Sequence, residues 1–197
     1  MPRPICLRCG VHAAICVCAD CAPVANRTEL TVLQHPSEVA HAKGTVRILR
    51  QCLSRLEVFV GETPDDFRQA GFDPINDSRA SALLFPGPDS QDLETADTDD
   101  IRRWILLDGT WRKAARILHQ NPALAALPRF HFASPPTSVY AIRKAPGDGH
   151  LATAEAAAYL LNRVEPDLDT SPVSRAMQAL VDRQLAQIPE RLHKYYR

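Results

Sequence analysis

Leu106-Leu107-Asp108-Gly109-Thr110-Trp111-Arg112-Lys113-Ala114-Ala115 reads as a buried strand that ends on a carboxylate and turns directly into a helix. Ile105, Leu106 and Leu107 form a short apolar run, and Gly109 suits the turn that follows it. Trp111, Ala114, Ala115 and Leu118 then recur at helical spacing, which predicts a core-facing side. Arg112, Lys113, Arg116 and His119 fall opposite, where the open N–H groups and the positive end of the helix also favour an anion. Junctions of this kind carry the ligands and catalytic groups of open α/β sheets. The same residues equally fit a structural role, with Asp108 or Thr110 capping the helix and Trp111 packing in the core. This stretch alone leaves both readings open.

The surrounding chain repeats the strand-to-helix rhythm. Glu29 to Leu33 reads as a strand, followed by Gln34-His35-Pro36-Ser37-Glu38, where Pro36 suits the first turn of a helix running to about Ser54 with Lys43, Arg47 and Arg50 on its basic side. Within that junction His35 is a candidate acid/base group or hydrogen-bonded structural residue. Leu56 to Val60 and Ser81 to Phe85 are further strands, with a short helix after Pro64 between them; the second runs into the rigid loop Phe85-Pro86-Gly87-Pro88. Arg129 to Phe132 and Ser138 to Ile142 read as two more strands. The last of these leads to a glycine-rich loop that begins with the adjacent cations Arg143 and Lys144, which suit a phosphate or carboxylate and equally a solvated charge pair. An alanine-rich helix follows from Leu151 to about Arg163, and an amphipathic one from Pro172 to Ile188. Alternation of this kind predicts an α/β fold with a mostly parallel sheet and helices on both faces. Neither a G-x-G-x-x-G nor a Walker loop is present, which removes support for the ordinary dinucleotide and nucleoside-triphosphate folds.

A length of 197 residues suits one well-filled domain with a small appendage. No apolar run approaches the roughly 20 residues that span a bilayer, and the start of the chain lacks a signal-peptide core, so the expectation is a cytoplasmic protein with no membrane association. The net charge is zero, yet Asp89 to Asp100 holds six acidic residues and no basic one, so the remainder carries a net +6. A basic working face is therefore compatible with neutrality, with the acidic stretch as a solvated loop elsewhere.

Five of the six cysteines lie in the first 21 residues as Cys6, Cys9, Cys16, Cys18 and Cys21. Without a secretion signal such crowding points to thiolates around one structural zinc, with a redox or disulfide cluster as the alternative; Cys6, Cys9, Cys16 and Cys18 are the better set, with Cys21 able to replace Cys18. Residues 1–27 are accordingly expected to form a zinc knuckle too small to fold without metal, and residues 28–197 the catalytic domain. Cys52 reads as a small buried hydrophobe.

Taken together, the motifs resemble the DTW-domain family of tRNA-uridine aminocarboxypropyltransferases, whose Asp-x-Thr-Trp signature is matched by Asp108, Thr110 and Trp111. The cysteine knuckle resembles the family's own; Gln34 to Glu38 with Thr45, Arg47 and Leu49 resembles its first block; and Leu84-Phe85-Pro86-Gly87 its proline-glycine loop. Tyr140, Arg143, Lys144 and Pro146, then Leu151, Thr153 and Glu155, resemble its last block. Gly44 stands where the family usually has Asn, and Ala152 where it often has Ser. The resemblance implies a SPOUT-like fold whose C-terminal part threads a trefoil knot around S-adenosylmethionine. It also implies transfer of the 3-amino-3-carboxypropyl group of S-adenosylmethionine to N3 of a tRNA uridine. On that basis Asp108, Thr110 and Trp111 are the expected catalytic group. Leu84, Phe85, Pro86, Gly87, Tyr140, Arg143, Lys144, Leu151, Thr153 and Glu155 are expected to bind S-adenosylmethionine, and His35, Arg47, Arg112 and Lys113 to meet tRNA. A methyltransferase of the same fold, or a non-catalytic zinc-containing RNA-binding protein, are the alternatives. A monomer with no obligate protein partner is expected.

Overall fold

The computed structural model describes residues 4–75, 79–142 and 150–195. Among them, β1 (Glu29–Gln34), β2 (Leu56–Val60), β3 (Ser81–Leu84), β4 (Gln91–Asp92), β5 (Arg103–Asp108) and β6 (Arg129–His131) join in one sheet of order β2-β1-β5-β3-β6-β4. Every pairing is parallel. The helices are α1 (Val46–Cys52), α2 (Pro64–Gln69), α3 (Trp111–Gln120), α4 (Pro122–Ala125), α5 (Thr153–Val164) and α6 (Ser171–Leu185). Because successive strand residues face opposite ways, the sheet divides its side chains between two cores. Leu30, Val32, Trp104 and Leu106 pack with α1, α5 and α6, whereas Leu33, Leu83 and Ile105 pack with Phe67 of α2, Ile117 of α3 and Leu124 of α4. Apolar residues at consecutive positions of β5 are thus explained by burial on both faces, the mark of a central parallel strand. The trefoil knot implied by the resemblance turns on the path through 143–149, outside the described residues.

Four sequence expectations are corrected. The helix expected from Pro36 to Ser54 is a 3-10 turn at Pro36–Glu38, an irregular link and then α1. In that link the Gly44 N–H returns to the His41 carbonyl at 2.8 Å, and a Cβ on Gly44 would stand 3.1 Å from the same oxygen. Ser138 to Ile142 forms no strand. Its alternation is one-sided burial of an extended segment, with Tyr140 and Ile142 buried and Val139 51% exposed. Side chains satisfy its backbone, since Val139 N–H donates to Glu155 Oε1 (2.8 Å) and Tyr140 N–H to Ser138 Oγ (3.1 Å). The acidic stretch is more than a solvated loop, because it contains β4 and buries Leu93. Glu94 there accepts from Ala133 N–H (3.0 Å) and the Tyr159 hydroxyl (2.9 Å). On α3, the core face is Ala114, Ile117 and Leu118, and Trp111 is not part of it.

The N-terminal segment is docked on this frame. Val17 and Val24 belong to the larger core, Val24 pairs with Leu53 in an isolated bridge, and Asp20 meets Arg183 of α6 at 2.7 Å. A second tie joins the far end of α5 to the approach to β1. Glu165, buried at the C-terminus of α5, accepts from the Arg27 N–H at 3.0 Å and the Thr28 N–H at 2.6 Å. Burial pushes its carboxyl up, but the hydrogen bonds from Thr28 and Arg27 outweigh it and hold the group below its ordinary value. A depressed folded-state value means this contribution is present at neutral pH and lost as the pH falls through that value. Glu165→Ala should therefore cost about 2 kcal/mol at pH 7 by orphaning two N–H groups. In urea titrations the gap from wild type should narrow as the solution is acidified.

Candidate active site

Parallel register sets Gln34 beside Asp108 and Leu84 beside Leu106, so the carboxyl ends of β1, β5 and β3 open together at the middle of the sheet. Asp108 is 5% exposed. Gln34 Nε2 donates to its Oδ2 at 2.9 Å, and Thr153 Oγ1 donates to its Oδ1 at 2.6 Å. Three elements far apart in sequence thus meet on one carboxylate. Both of these donors are neutral, and they fix the plane of the carboxyl group. The Asp108 carbonyl accepts from His35 N–H at 2.9 Å, which ties the two strand ends together. Thr110 caps α3, its hydroxyl accepting from Lys113 N–H at 3.4 Å.

Beside Asp108 lies a cleft of about 210 Å³. Leu84, Phe85 and Pro86 line it from the β3 loop, Gly109 and Trp111 from the β5 junction, Leu151 and Thr153 from the entry to α5, and His131 and His150 from its rim. Trp111 is 40% exposed, with its ring 5.4 Å from Phe85 and 4.9 Å from His150. As the first residue of α3 it stands above the sheet's carboxyl edge, and so it faces the cleft instead of the core. An apolar, aromatic-walled cleft with few polar groups is the usual form of a small-molecule site.

The other expected ligand residues are placed as follows. The Gly87 N–H donates to Ser90 Oγ at 3.0 Å, just beyond the cleft. Tyr140 is buried, and its hydroxyl donates to the Lys43 carbonyl. Glu155 accepts from Ser138 Oγ (2.8 Å), Val139 N–H (2.8 Å) and Ala152 N–H (2.7 Å), so its carboxylate organises the chain entering α5. Ala152 supplies no side-chain cap; Thr45 Oγ1 approaches instead and accepts from Ala154 N–H at 3.2 Å. Arg143 and Lys144 lie outside the described residues.

His35 Nδ1 accepts from Ser37 N–H (3.2 Å), and Nε2 lies 2.8 Å from Glu62 Oε2. These partners assign the proton to Nε2 and leave neither ring nitrogen directed at the cleft. Glu62 also pairs with Arg116 at 2.6 Å, and Lys113 with Glu38 at 2.9 Å, so the α3 cations nearest the sheet are internally balanced. Arg112 remains exposed. Arg47 donates to the Ala42 carbonyl at 2.9 Å. Sequence reading missed Gln34, which ended outside the expected strand, and missed His131 and His150. Only the register of β1 against β5 exposes the first, and the two histidines have no local signal.

Cys6, Cys9, Cys16 and Cys18 bring their sulfurs within 4.8 Å of one another, a group able to hold a metal ion. The turn that does so needs Gly10, whose φ of 73° is left-handed and whose N–H donates to the Cys6 carbonyl at 2.8 Å. The Cys9 backbone N–H, and then the Cys16 side chain, hold the Cys6 thiol down at about 6. Burial pushes the Cys18 thiol up. Cys21 lies apart, donating to the Val17 carbonyl at 3.3 Å and interacting with Cys52.

The sequence matches the DTW domain over residues 3–191. The chain belongs to the DTW-domain family. The signature that gives the DTW family its name falls here on the β5–α3 junction. Curated relatives of this DTW protein are named tRNA-uridine aminocarboxypropyltransferase 2. The Mus musculus protein is 31% identical across 98% of this chain and 68% of its own length. The Drosophila melanogaster protein is 32% identical across 83% and 67%, and that of Macaca fascicularis 28% identical across 93% and 64%. The DTW chain thus spans about two thirds of these relatives. No solved structure matches it. No helix among its described residues is long and apolar enough to cross a membrane.

Proposed function

We propose that this protein transfers the 3-amino-3-carboxypropyl group of S-adenosylmethionine to N3 of a uridine in tRNA. The observation that carries the reading is Asp108, a buried carboxylate oriented by Gln34 and Thr153, whose chain neighbours Leu107 and Gly109 and whose partner Thr153 line an apolar cleft walled by Phe85 and Trp111. The names of the DTW relatives support the substrate class.

The cleft suits a donor with an aromatic base. Leu84, Phe85, Pro86 and Leu151 offer apolar surface, and Trp111 with Phe85 a ring-bearing wall. Bound there, S-adenosylmethionine supplies a sulfonium-activated γ-carbon and departs as methylthioadenosine. Uridine N3 is a poor nucleophile until its proton leaves, and on this reading Asp108 receives that proton, a contribution of about 10²-fold or more. Thr153 and Gln34 keep Asp108 from rotating away, which matters because alignment within near-attack distance determines which carbon of the donor is reached. Thr110 fixes the start of α3 and, through it, Trp111.

Cys6, Cys9, Cys16 and Cys18 hold a structural zinc on this reading. Tetrahedral bonds of about 2.3 Å put sulfurs about 3.8 Å apart, and Cys9 and Cys16 lie 3.7 Å apart. Residues 1–27 are then a metal-ordered knuckle appended to the catalytic domain of residues 28–197.

The test is incubation with unmodified tRNA and S-adenosylmethionine labelled in either the methyl or the carboxypropyl carbons, with analysis of the nucleosides. Carboxypropyl label on uridine is expected. Methyl label alone would make the protein a methyltransferase, and unlabelled RNA would leave a binding protein.

A further inference from the structure

A second cavity, of about 200 Å³, opens on the other side of Gln34, between the cysteine knuckle, the Pro36–Glu38 turn and α1. Arg8 reaches it from the knuckle, and Arg47 and Arg50 from α1. None of these three arginines has a carboxylate within ion-pair distance among the described residues; each pair formed there joins other groups. Arg8 donates to the Cys18 carbonyl at 3.3 Å, and Arg47 to the carbonyls of Ala42 and His41 at 2.9 and 3.4 Å. The Arg47 Nε is buried and has no hydrogen-bond partner among the described residues. Burial draws the Arg47 guanidinium below its ordinary value, against the opposing pull of Tyr140 and of Cys9, Cys16 and Cys18. Glu38 also borders the cavity, but it is paired with Lys113. Three arginines lining one polar hollow make a site for an oxyanion, since planar N–H forks match phosphate oxygens.

We infer that this arginine-lined cavity seats a backbone phosphate of the RNA substrate, with Arg8 making the cysteine knuckle part of the RNA-binding surface. This assignment rests on the proposed function for its RNA. Gln34 links the two sites, because it borders the cavity while its amide is held on Asp108. A phosphate anchored here touches the residue that holds the candidate base. The donor's own carboxylate is the competing oxyanion, and so donor and RNA binding are measured separately.

Arg8→Gln and Arg50→Gln, made in the full-length zinc-loaded protein, test the assignment. Each should weaken tRNA binding about tenfold near 0.1 M salt and lower the slope of log K against log salt by about one, as loss of one phosphate contact does. Calorimetric affinity for S-adenosylmethionine and the zinc content should stay at wild-type values. An unchanged salt slope in Arg50→Gln, which sits away from the cysteines on α1, would overturn the assignment. So would a loss of S-adenosylmethionine affinity with RNA binding intact, or zinc loss as the sole effect of Arg8→Gln. Failure of the parent reading looks different: wild-type protein would bind tRNA with the expected slope yet place no carboxypropyl label on uridine.

Discussion

Asp108→Asn is expected to lower the rate of carboxypropyl transfer at saturating substrate by about a hundredfold or more, with affinity for S-adenosylmethionine changed less than about twofold. The substitution keeps the shape of the side chain. Its amide oxygen can still accept from Gln34 Nε2, and its NH₂ can donate to the Thr153 hydroxyl, which turns to receive it. What disappears is the capacity to take a proton from uridine N3. Single-turnover transfer with labelled donor measures the chemical step, and calorimetry measures donor binding. A variant that reacts at the wild-type rate when saturated, but binds the donor weakly, would make Asp108 an anchor for the donor's amino group.

Cys9→Ser should remove the metal and release the N-terminal segment, while Cys21→Ser should keep the metal. The four-sulfur group includes Cys9 and excludes Cys21. A knuckle this small has little core of its own, so its order depends on metal binding. Its release also uncovers Val17 and Val24, which are buried against the main core, and breaks the Asp20–Arg183 pair. A stability loss of about 3 kcal/mol follows for two such valines, or a melting temperature lower by about 6–12 °C in a chain of this size. Metal content per chain, thermal melts and protease sensitivity before residue 28 are the measurements. One metal in the wild type and in Cys21→Ser, and none in Cys9→Ser, is the expected pattern.

Much of the frame was legible because hydrophobic patterning is a local signal. β1, β2, β3 and β5 could be read from apolar runs that stop at Pro, Gly or Asp, α5 from its alanine-rich composition and α6 from its amphipathic pattern. Errors came where one pattern has two physical origins. Ser138 to Ile142 alternates because an extended segment lies with one side on the core, yet its N–H groups bond to Ser138 and Glu155 and not to a neighbouring strand. Trp111 fell on the expected apolar stripe of α3, but a residue in the first turn projects past the end of the sheet, where no core exists to cover it.

By itself the sequence determined the α/β class, the strand-to-helix junction bearing Asp108, Thr110 and Trp111, and the cysteine crowding at the N-terminus, since each is written in residue type and spacing along a few consecutive positions. Only the tertiary structure decided that Gln34 and Thr153 grip Asp108, that Trp111 faces an aromatic cleft with His150, that Cys18 and not Cys21 joins the four-sulfur group, and that Arg8 lines one cavity with Arg47 and Arg50. Those pairings depend on parallel strand register and on helix docking across long stretches of chain. Contacts of that kind are set by the joint burial of two cores, a property of the whole sequence that no local window contains.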